Sequence, residues 1–124
     1  MQTMETVPGS LRGILEGLMK VDGVTAAMVV GRDGFVIEVT SAEGIDTDAV
    51  GAIAASGLTS SEIMGGELRA GPLGSMLIEY EQGPVAVMPA GPDAVLAVVG
   101  DRRANLGRLR VEMRKLRAAV AAQL

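Results

Sequence analysis

The stretch VVGRDGFVIEVTS, residues 29–41, decides how the chain begins to fold, because it places two glycines and an Arg-Asp pair between two apolar runs. Two interpretations are open: a glycine loop that holds a phosphate, or a tight turn between two strands. Asp33-Gly34 favours a hairpin, since a type I′ turn needs positive φ at both central residues. A Walker phosphate loop leads into a helix and carries a Lys, whereas these glycines lead into another apolar run without one. The stretch therefore predicts a β-hairpin.

The two strands of this hairpin have different patterns. Upstream, VTAAMVV is apolar throughout, which is typical of a strand covered on both faces. Downstream, apolar and more polar positions alternate with period two, so a strand with one polar face is expected, its apolar face formed by Phe35, Ile37 and Val39.

Three helices and three further strands complete the pattern. Ser10 can cap a first helix whose apolar positions recur at helical spacing as far as Met19. A second helix is predicted from Asp46 to about Leu68, and a third carries an apolar stripe from Leu106 to Leu124. Between the last two, SMLIEY, VAVMPA and AVLAVVG are interpreted as a meander of strands. The order predicts one mixed α/β domain at residues 8–124, α-β-β-α-β-β-β-α with a mostly antiparallel five-stranded sheet, after a flexible tail at residues 1–7.

The predicted second helix lacks a charged outer face. Its sheet-facing side is expected to contain Val50, Ile53, Ala54, Gly57, Ser61 and Met64. The opposite side contains Ala52, Ala55, Thr59 and Ile63, with charge only from Asp48 and Glu62. Glycine weakens an isolated helix by up to about 1 kcal/mol relative to alanine. The segment is therefore either a poorly formed surface helix or a helix buried on two faces, by its own sheet and by a partner, and the second interpretation is favoured.

Composition argues against an enzyme. The chain has no His and no Cys, which removes the commonest general base, the thiol nucleophile and the usual transition-metal ligands. We therefore expect no catalytic residues, no cofactor and no metal. The N-terminus lacks the basic start and apolar core of a signal peptide, and no apolar run is long enough for a membrane span, so a cytoplasmic protein is expected.

Charge is distributed unevenly along the chain. Through Asp101 there are 14 acidic and 4 basic residues, a net charge of −10, whereas the remaining residues have 1 acidic and 7 basic, a net charge of +6. The basic third helix could attract nucleic acid or an anionic membrane. Alternatively its late positive charges suit a helix C-terminus and pair with the acidic body. Because stacking aromatics are nearly absent, the second interpretation is favoured, with no nucleic acid and no membrane insertion expected; acidic protein partners stay open.

These segments, in this order, resemble the Roadblock/dynein light chain family. The likeness spans about residues 10–120 and is carried by VDGVTAAMVVGRDGFVIE, DAVGAIAASGLTSSEI, GPVAVMPAGPDAVLAVVG and ANLGRLRVEMRKL. The resemblance implies strand order 2-1-5-4-3, with the second helix on one face of the sheet and the other two on the opposite face. It also implies a homodimer whose third strands join two sheets and whose second helices lie side by side. In bacterial members the outward surface of these helices meets a small Ras-like GTPase.

Specific residues follow from this resemblance and from the helical wheel. The implied partner surface consists of Asp48, Ala52, Ala55, Thr59, Glu62 and Ile63. The implied dimer interface consists of Gly51 and Leu58 on the second helix and Ser75, Leu77 and Glu79 on the third strand.

The leading hypothesis is a non-enzymatic homodimeric regulator that binds a small Ras-like GTPase and modulates its nucleotide cycle. The alternative is a dimeric scaffold or adaptor, dynein-like or receptor-associated, without effect on GTP hydrolysis. Nine Arg against two Lys, with abundant Ala, Gly and Val, indicate a GC-rich bacterial genome and favour the regulator. Arg69 is a candidate arginine finger, but a solvated residue suited to the helix C-terminus is the favoured interpretation. The resemblance to bacterial members, which act by repositioning residues already in the GTPase, implies that any stimulation is conformational.

Overall fold

The computed structural model describes residues 9–124, so the tail predicted for residues 1–7 lies outside the described residues. The eight expected elements are present in the expected order: α1 (Leu11–Met19), β1 (Val24–Gly31), β2 (Val36–Ser41), α2 (Thr47–Glu67), β3 (Met76–Tyr80), β4 (Gly83–Pro89), β5 (Ala94–Gly100) and α3 (Leu106–Ala122). The predicted α-β-β-α-β-β-β-α fold is confirmed.

The sheet has the order β2-β1-β5-β4-β3, and every neighbouring pair is antiparallel. The two continuously apolar runs, β1 and β5, lie at its centre and are buried along nearly their whole length. One apolar cluster joins the sheet to α1 and α3, and includes Leu15, Leu96 and Met113. A second joins the opposite face to α2, and includes Met28 and Leu58. Two covered faces explain why the central strands show no polar alternation.

Short polar side chains set the start of each helix. The Ser10 hydroxyl accepts a hydrogen bond from the Gly13 N–H at 3.0 Å, and the Asp46 carboxylate accepts from the Ala49 N–H at 3.1 Å. The amide oxygen of Asn105 accepts from the N–H of Arg108 at 2.9 Å. Each bond satisfies a donor that the first helical turn leaves free. At the far end of α3, Leu124 follows the helix and is exposed, so its predicted place in the apolar stripe is wrong.

The β1–β2 connection is a turn, as expected, but its type differs from the prediction. The Gly34 N–H donates to the Gly31 carbonyl at 2.9 Å, and Gly34 has φ +93°. Asp33 has no positive φ, so the loop is a type I turn followed by a left-handed glycine rather than a type I′ turn. The Asp33 carboxylate instead accepts from the N–H of Phe35 at 3.1 Å.

A β-bulge reverses the predicted faces of β2. Val30 pairs with Val36 and Val29 pairs with Glu38, so Ile37 is an extra residue without a partner on β1. Val36 and Val39 consequently pack towards α2. Phe35 is 76% exposed and Ile37 is also exposed, so the expectation that they form the apolar face is wrong. The regular alternation assumed a strand without a bulge.

No helix within residues 9–124 has both the length and the apolar character that crossing a membrane requires.

Helix α2 ends in a Schellman motif. The Ala70 N–H donates to the Gly65 carbonyl at 2.9 Å, and the Arg69 N–H donates to the Gly66 carbonyl at 3.1 Å. This motif requires a left-handed residue, usually glycine, at the position of Arg69. Arg69 has φ +53°, the only positive φ of a non-glycine residue in residues 9–124.

Replacing Arg69 by glycine is therefore expected to stabilise the fold. Arg69→Gly removes the steric cost of placing an L-residue in the left-handed conformation. This gain exceeds the loss from the greater chain entropy that glycine has in the unfolded state, so the free energy of unfolding rises by about 0.5–1 kcal/mol. Urea denaturation followed by circular dichroism measures the change. Arg69→Ala is the matched control, because it removes the same side chain but keeps the strained backbone. Equal stability of the two variants would contradict the backbone explanation.

Candidate partner-binding surface

Helix α2 contacts the sheet through very small side chains. Its buried positions, Gly51, Ala54, Ala55 and Leu58, recur at the spacing of one helical face. A Cβ atom added to Gly51 would lie 2.9 Å from Cγ2 of Val36, so the helix sits as close to the sheet as glycine permits. The small residues that made the isolated helix weak are the ones that allow this close packing.

The buried face of α2 is rotated from the predicted one by about 100°, or one residue along the helix. Ile53, expected on the sheet, is 71% exposed, and Met64 is exposed as well. Ala55, expected on the partner surface, is 1% exposed and belongs to the core beneath α2. Gly51 and Leu58, expected at a lateral dimer contact, face the sheet of their own chain. The sequence pattern indicated a helix but not its rotation, because apolar residues occur on more than one side.

The outward surface of α2 nevertheless contains most of the predicted partner residues. Asp48, Ala52, Thr59 and Ile63 are exposed, and Glu62 is half-buried. Ser56 and Ser60, which the sequence did not single out, are exposed between them. Among these residues Ile63 is the one large apolar side chain, and Ile53 and Met64 are exposed beside them.

An ion pair on one flank of α2 connects the helix to the β1–β2 turn. The Arg32 guanidinium donates to both carboxylate oxygens of Glu62, with the Nη2–Oε2 distance at 3.3 Å. The backbone N–H of Arg32 donates to the Asp93 carbonyl at 3.1 Å. Within residues 9–124, the buried Nε of Arg32 has no hydrogen-bond partner. No sequence pattern indicated this pair, since its members are 30 residues apart.

Between this turn and α2 lies a shallow depression of about 310 Å³. It is lined by Arg32, Asp33, Gly34, Ala52, Ala55, Ser56, Thr59 and Ser60. The outward surface of α2 and the β1–β2 turn therefore form one continuous surface.

The other flank of α2 borders an apolar cleft of about 400 Å³. Its lining consists of Ile45, Val50, Ile53, Ala54, Gly57, Met76, Ile78, Tyr80, Val85, Val87 and Val99. Tyr80 is 62% exposed, so two large side chains, Ile53 and Tyr80, present apolar surface to solvent here. The alternation of Met76, Ile78 and Tyr80 along β3 is the sequence signal that could have identified this cleft.

Within residues 9–124, strand β3 forms one edge of the sheet and pairs only with β4. Leu77 and Glu79 alternate with the cleft residues and point to the opposite face, where both are exposed. Ser75 precedes the strand and is half-buried. The predicted interface residues Ser75, Leu77 and Glu79 thus lie on a free strand edge, which is available for pairing with another chain.

Outside this region, Asp101 and Arg103 are partners of each other. The pKa of Asp101 is lowered because the side chain and backbone N–H of Arg103 donate to its carboxylate, and the pKa of Arg103 is raised by the same contact. Both residues lie in the β5–α3 connection. In residues 9–124, no group of three or more Asp, Glu, His or Cys side chains could hold a metal ion. The arrangement around α2 is suited to contact with a protein surface, because it combines small side chains, an apolar cleft and the outer edge of β3.

Sequence comparison identifies relatives over most of the chain. The sequence model of the Roadblock/LC7 domain matches residues 13–100. The uncharacterized proteins MJ0310 and MJ0714 of Methanocaldococcus jannaschii are each 34% identical over 102 residues, which is 82% of this chain and 89% and 86% of those proteins.

Solved structures share the fold. The Roadblock/LC7 domain from Streptomyces avermitilis has a TM-score of 0.82 at 25% identity, covering 91% of this chain and 96% of that one. MglB in a tetrameric arrangement gives 0.84 at 21% identity, covering 99% and 96%, and the gliding protein MglB of Thermus thermophilus gives 0.83 at 20% identity, covering 99% and 97%. At these identities the two MglB structures support the fold alone. With a domain match that covers most of the chain and relatives at 34% identity, the protein belongs to the Roadblock/LC7 family.

Proposed function

We propose that the protein is a homodimeric, non-enzymatic regulator that binds a small Ras-like GTPase across its paired α2 helices and modulates the nucleotide cycle of that GTPase. The observation that carries the proposal is the outward surface of α2, where small and apolar residues replace the charges of an ordinary surface helix. Residues 8–124 act as one unit, in the cytoplasm. The archaeal relatives leave the bacterial origin a prediction from arginine content.

Two features on the same side of α2 support the homodimer: an apolar cleft that is open to solvent and a strand edge that can accept another strand. The apolar cleft leaves Ile53 and Tyr80 in contact with water, and the outer edge of β3 has a row of backbone hydrogen-bonding groups without partners among residues 9–124. A second copy related by two-fold symmetry covers both features, because α2 packs beside α2 and β3 continues the sheet. Burial of the cleft supplies hydrophobic free energy, while strand pairing fixes the orientation of the two copies.

Pairing of the two α2 helices places their outward surfaces next to each other. Small residues such as Ala52, Ser56 and Thr59 allow the backbone of a partner to approach closely. The Arg32–Glu62 pair holds the β1–β2 turn at the border of this surface. Binding there changes the GTPase by favouring one of its conformations, which is how a protein without catalytic groups alters a nucleotide cycle.

The dimer is tested by Ile53→Glu. A carboxylate in the covered cleft loses its hydration, so the variant weakens dimerisation by at least about 2 kcal/mol, about thirtyfold in Kd. In the free subunit Ile53 is mostly exposed, so folding is little affected. Light scattering at micromolar concentration is expected to give twice the chain mass of 12.7 kDa for the parent and lower values for the variant.

Val111→Glu is the matched control for this experiment, because Val111 is also an exposed aliphatic residue but lies on α3, across the sheet. It should leave the dimer unchanged. A monomeric parent protein, or a fully dimeric Ile53→Glu variant, would refute the proposed interface.

The GTPase surface is tested by Thr59→Arg. The larger charged side chain stands on the exposed side of α2 and should weaken GTPase binding at least about tenfold without changing the dimer. The measurement is affinity capture with the tagged protein in the presence of a non-hydrolysable GTP analogue or GDP, followed by mass spectrometry. The recovered GTPase is then assayed for hydrolysis and nucleotide exchange.

Gly17→Arg serves as the control for added charge, since Gly17 lies on the exposed side of α1 with open space around it. Equal GTPase capture by the Thr59→Arg and parent proteins would exclude this face of α2. Capture of other proteins without nucleotide dependence would favour the scaffold instead of the regulator.

A further inference from the structure

Most of the positive charges of α3 have no ion-pair partner within residues 9–124. The helix carries four arginines and one lysine: Arg108, Arg110, Arg114, Arg117 and Lys115. Lys115 pairs with Glu112 at 3.5 Å, the single acidic residue of α3. None of the four arginine side chains forms an ion pair or a hydrogen bond with any of residues 9–124. The expected pairing of these four arginines with the acidic body therefore involves no contact ion pair within residues 9–124.

The helix dipole does not account for these charges either. The last turn of α3 contains no basic residue, whereas Arg108 lies in the first turn, next to the positive end of the dipole. Arg110 and Arg114 are four residues apart, so their like charges repel on the same side of the helix. The expected match between late positive charges and the C-terminus is absent. The arginines of α3 oppose helix stability and have no partner within residues 9–124, which points to a partner on another molecule.

The chemistry of the outward face of α3 limits what this partner can be. Val111, 49% exposed, is the largest apolar side chain at the centre of the face, which also contains Ala118 and Ala122 further along the helix. Membrane-surface helices need bulky apolar or aromatic residues at that position, and proteins that bind single-stranded nucleic acid need aromatic residues for stacking. Arginine forks match the geometry of carboxylates.

We propose that the outward face of α3 is a second docking surface whose occupant is an acidic helical segment of a partner protein. The small residues at its centre let a helix approach closely, while Arg110 and Arg114 on one flank and Arg108 and Lys115 on the other reach its carboxylates. Because α3 lies on the opposite face of the sheet from α2, this surface is independent of the proposed GTPase surface. Both can be occupied at once, so the protein connects two partners.

The probe for this surface is a fluorescein-labelled helical peptide of Glu and Ala with about 20 residues, long enough to span α3. Fluorescence anisotropy with the full chain should show binding that weakens as NaCl is raised. The double variant Arg110→Gln/Arg114→Gln should lose about tenfold or more in affinity, because two charge-assisted hydrogen-bond donors are removed. A peptide with Gln in place of Glu should not bind.

The matched control is Lys20→Gln/Arg69→Gln, which removes the same number of positive charges from exposed sites outside α3. It should change the affinity by less than about twofold. Equal losses in the two double variants would overturn the proposal, because binding would then follow net charge alone. Absence of acidic-peptide binding would also overturn it, as would tighter arginine-dependent binding of oligo(dT) or of phosphatidylserine vesicles.

Discussion

The close contact of α2 with the sheet determines where the other surfaces of the protein can lie. Gly51 and two alanines let the helix settle against β1 and β2, because at Gly51 the helix backbone itself lies against the side chains of Val36 and Val30. A helix held so close to β1 and β2 cannot also cover the edge of the same sheet face that β3 and β4 form. The apolar residues of β3 and β4 are therefore left in an open cleft beside it.

Because of the same contact, the larger apolar side chains of α2 lie mostly outside the core. In an ordinary amphipathic helix the large apolar residues face the sheet and the small or charged ones face solvent. Here Ile53, Ile63 and Met64 project away from the core, whereas alanine, glycine and Leu58 face it. Exposed apolar residues of this kind mark interaction sites in other proteins, and they support the proposed interface on α2.

The layered arrangement separates two kinds of surface chemistry. On the α2 side, contacts are apolar and small, with the Arg32–Glu62 pair at the border. On the α3 side, unpaired arginines surround small residues. The buried strands β1 and β5 separate these faces, so a change in the charge of one face has little direct electrostatic effect on the other. A small domain can in this way carry two surfaces with different partners.

Local sequence was sufficient for the elements and their order. Ser10, Asp46 and Asn105 mark helix starts because their side chains satisfy free backbone donors within three residues. The apolar runs of β1 and β5 indicated central strands because burial on both faces leaves no polar position. Family resemblance added the sheet order.

By contrast, the rotation of α2, the bulge at Ile37 and the Arg32–Glu62 pair were decided only by tertiary structure. Each depends on groups that are distant in sequence: the rotation on how closely glycine approaches Val36, the bulge on the register with β1, and the ion pair on the packing of a turn against a helix. Periodicity records which residues share a face, but the neighbour that covers this face is known only when the chain has folded.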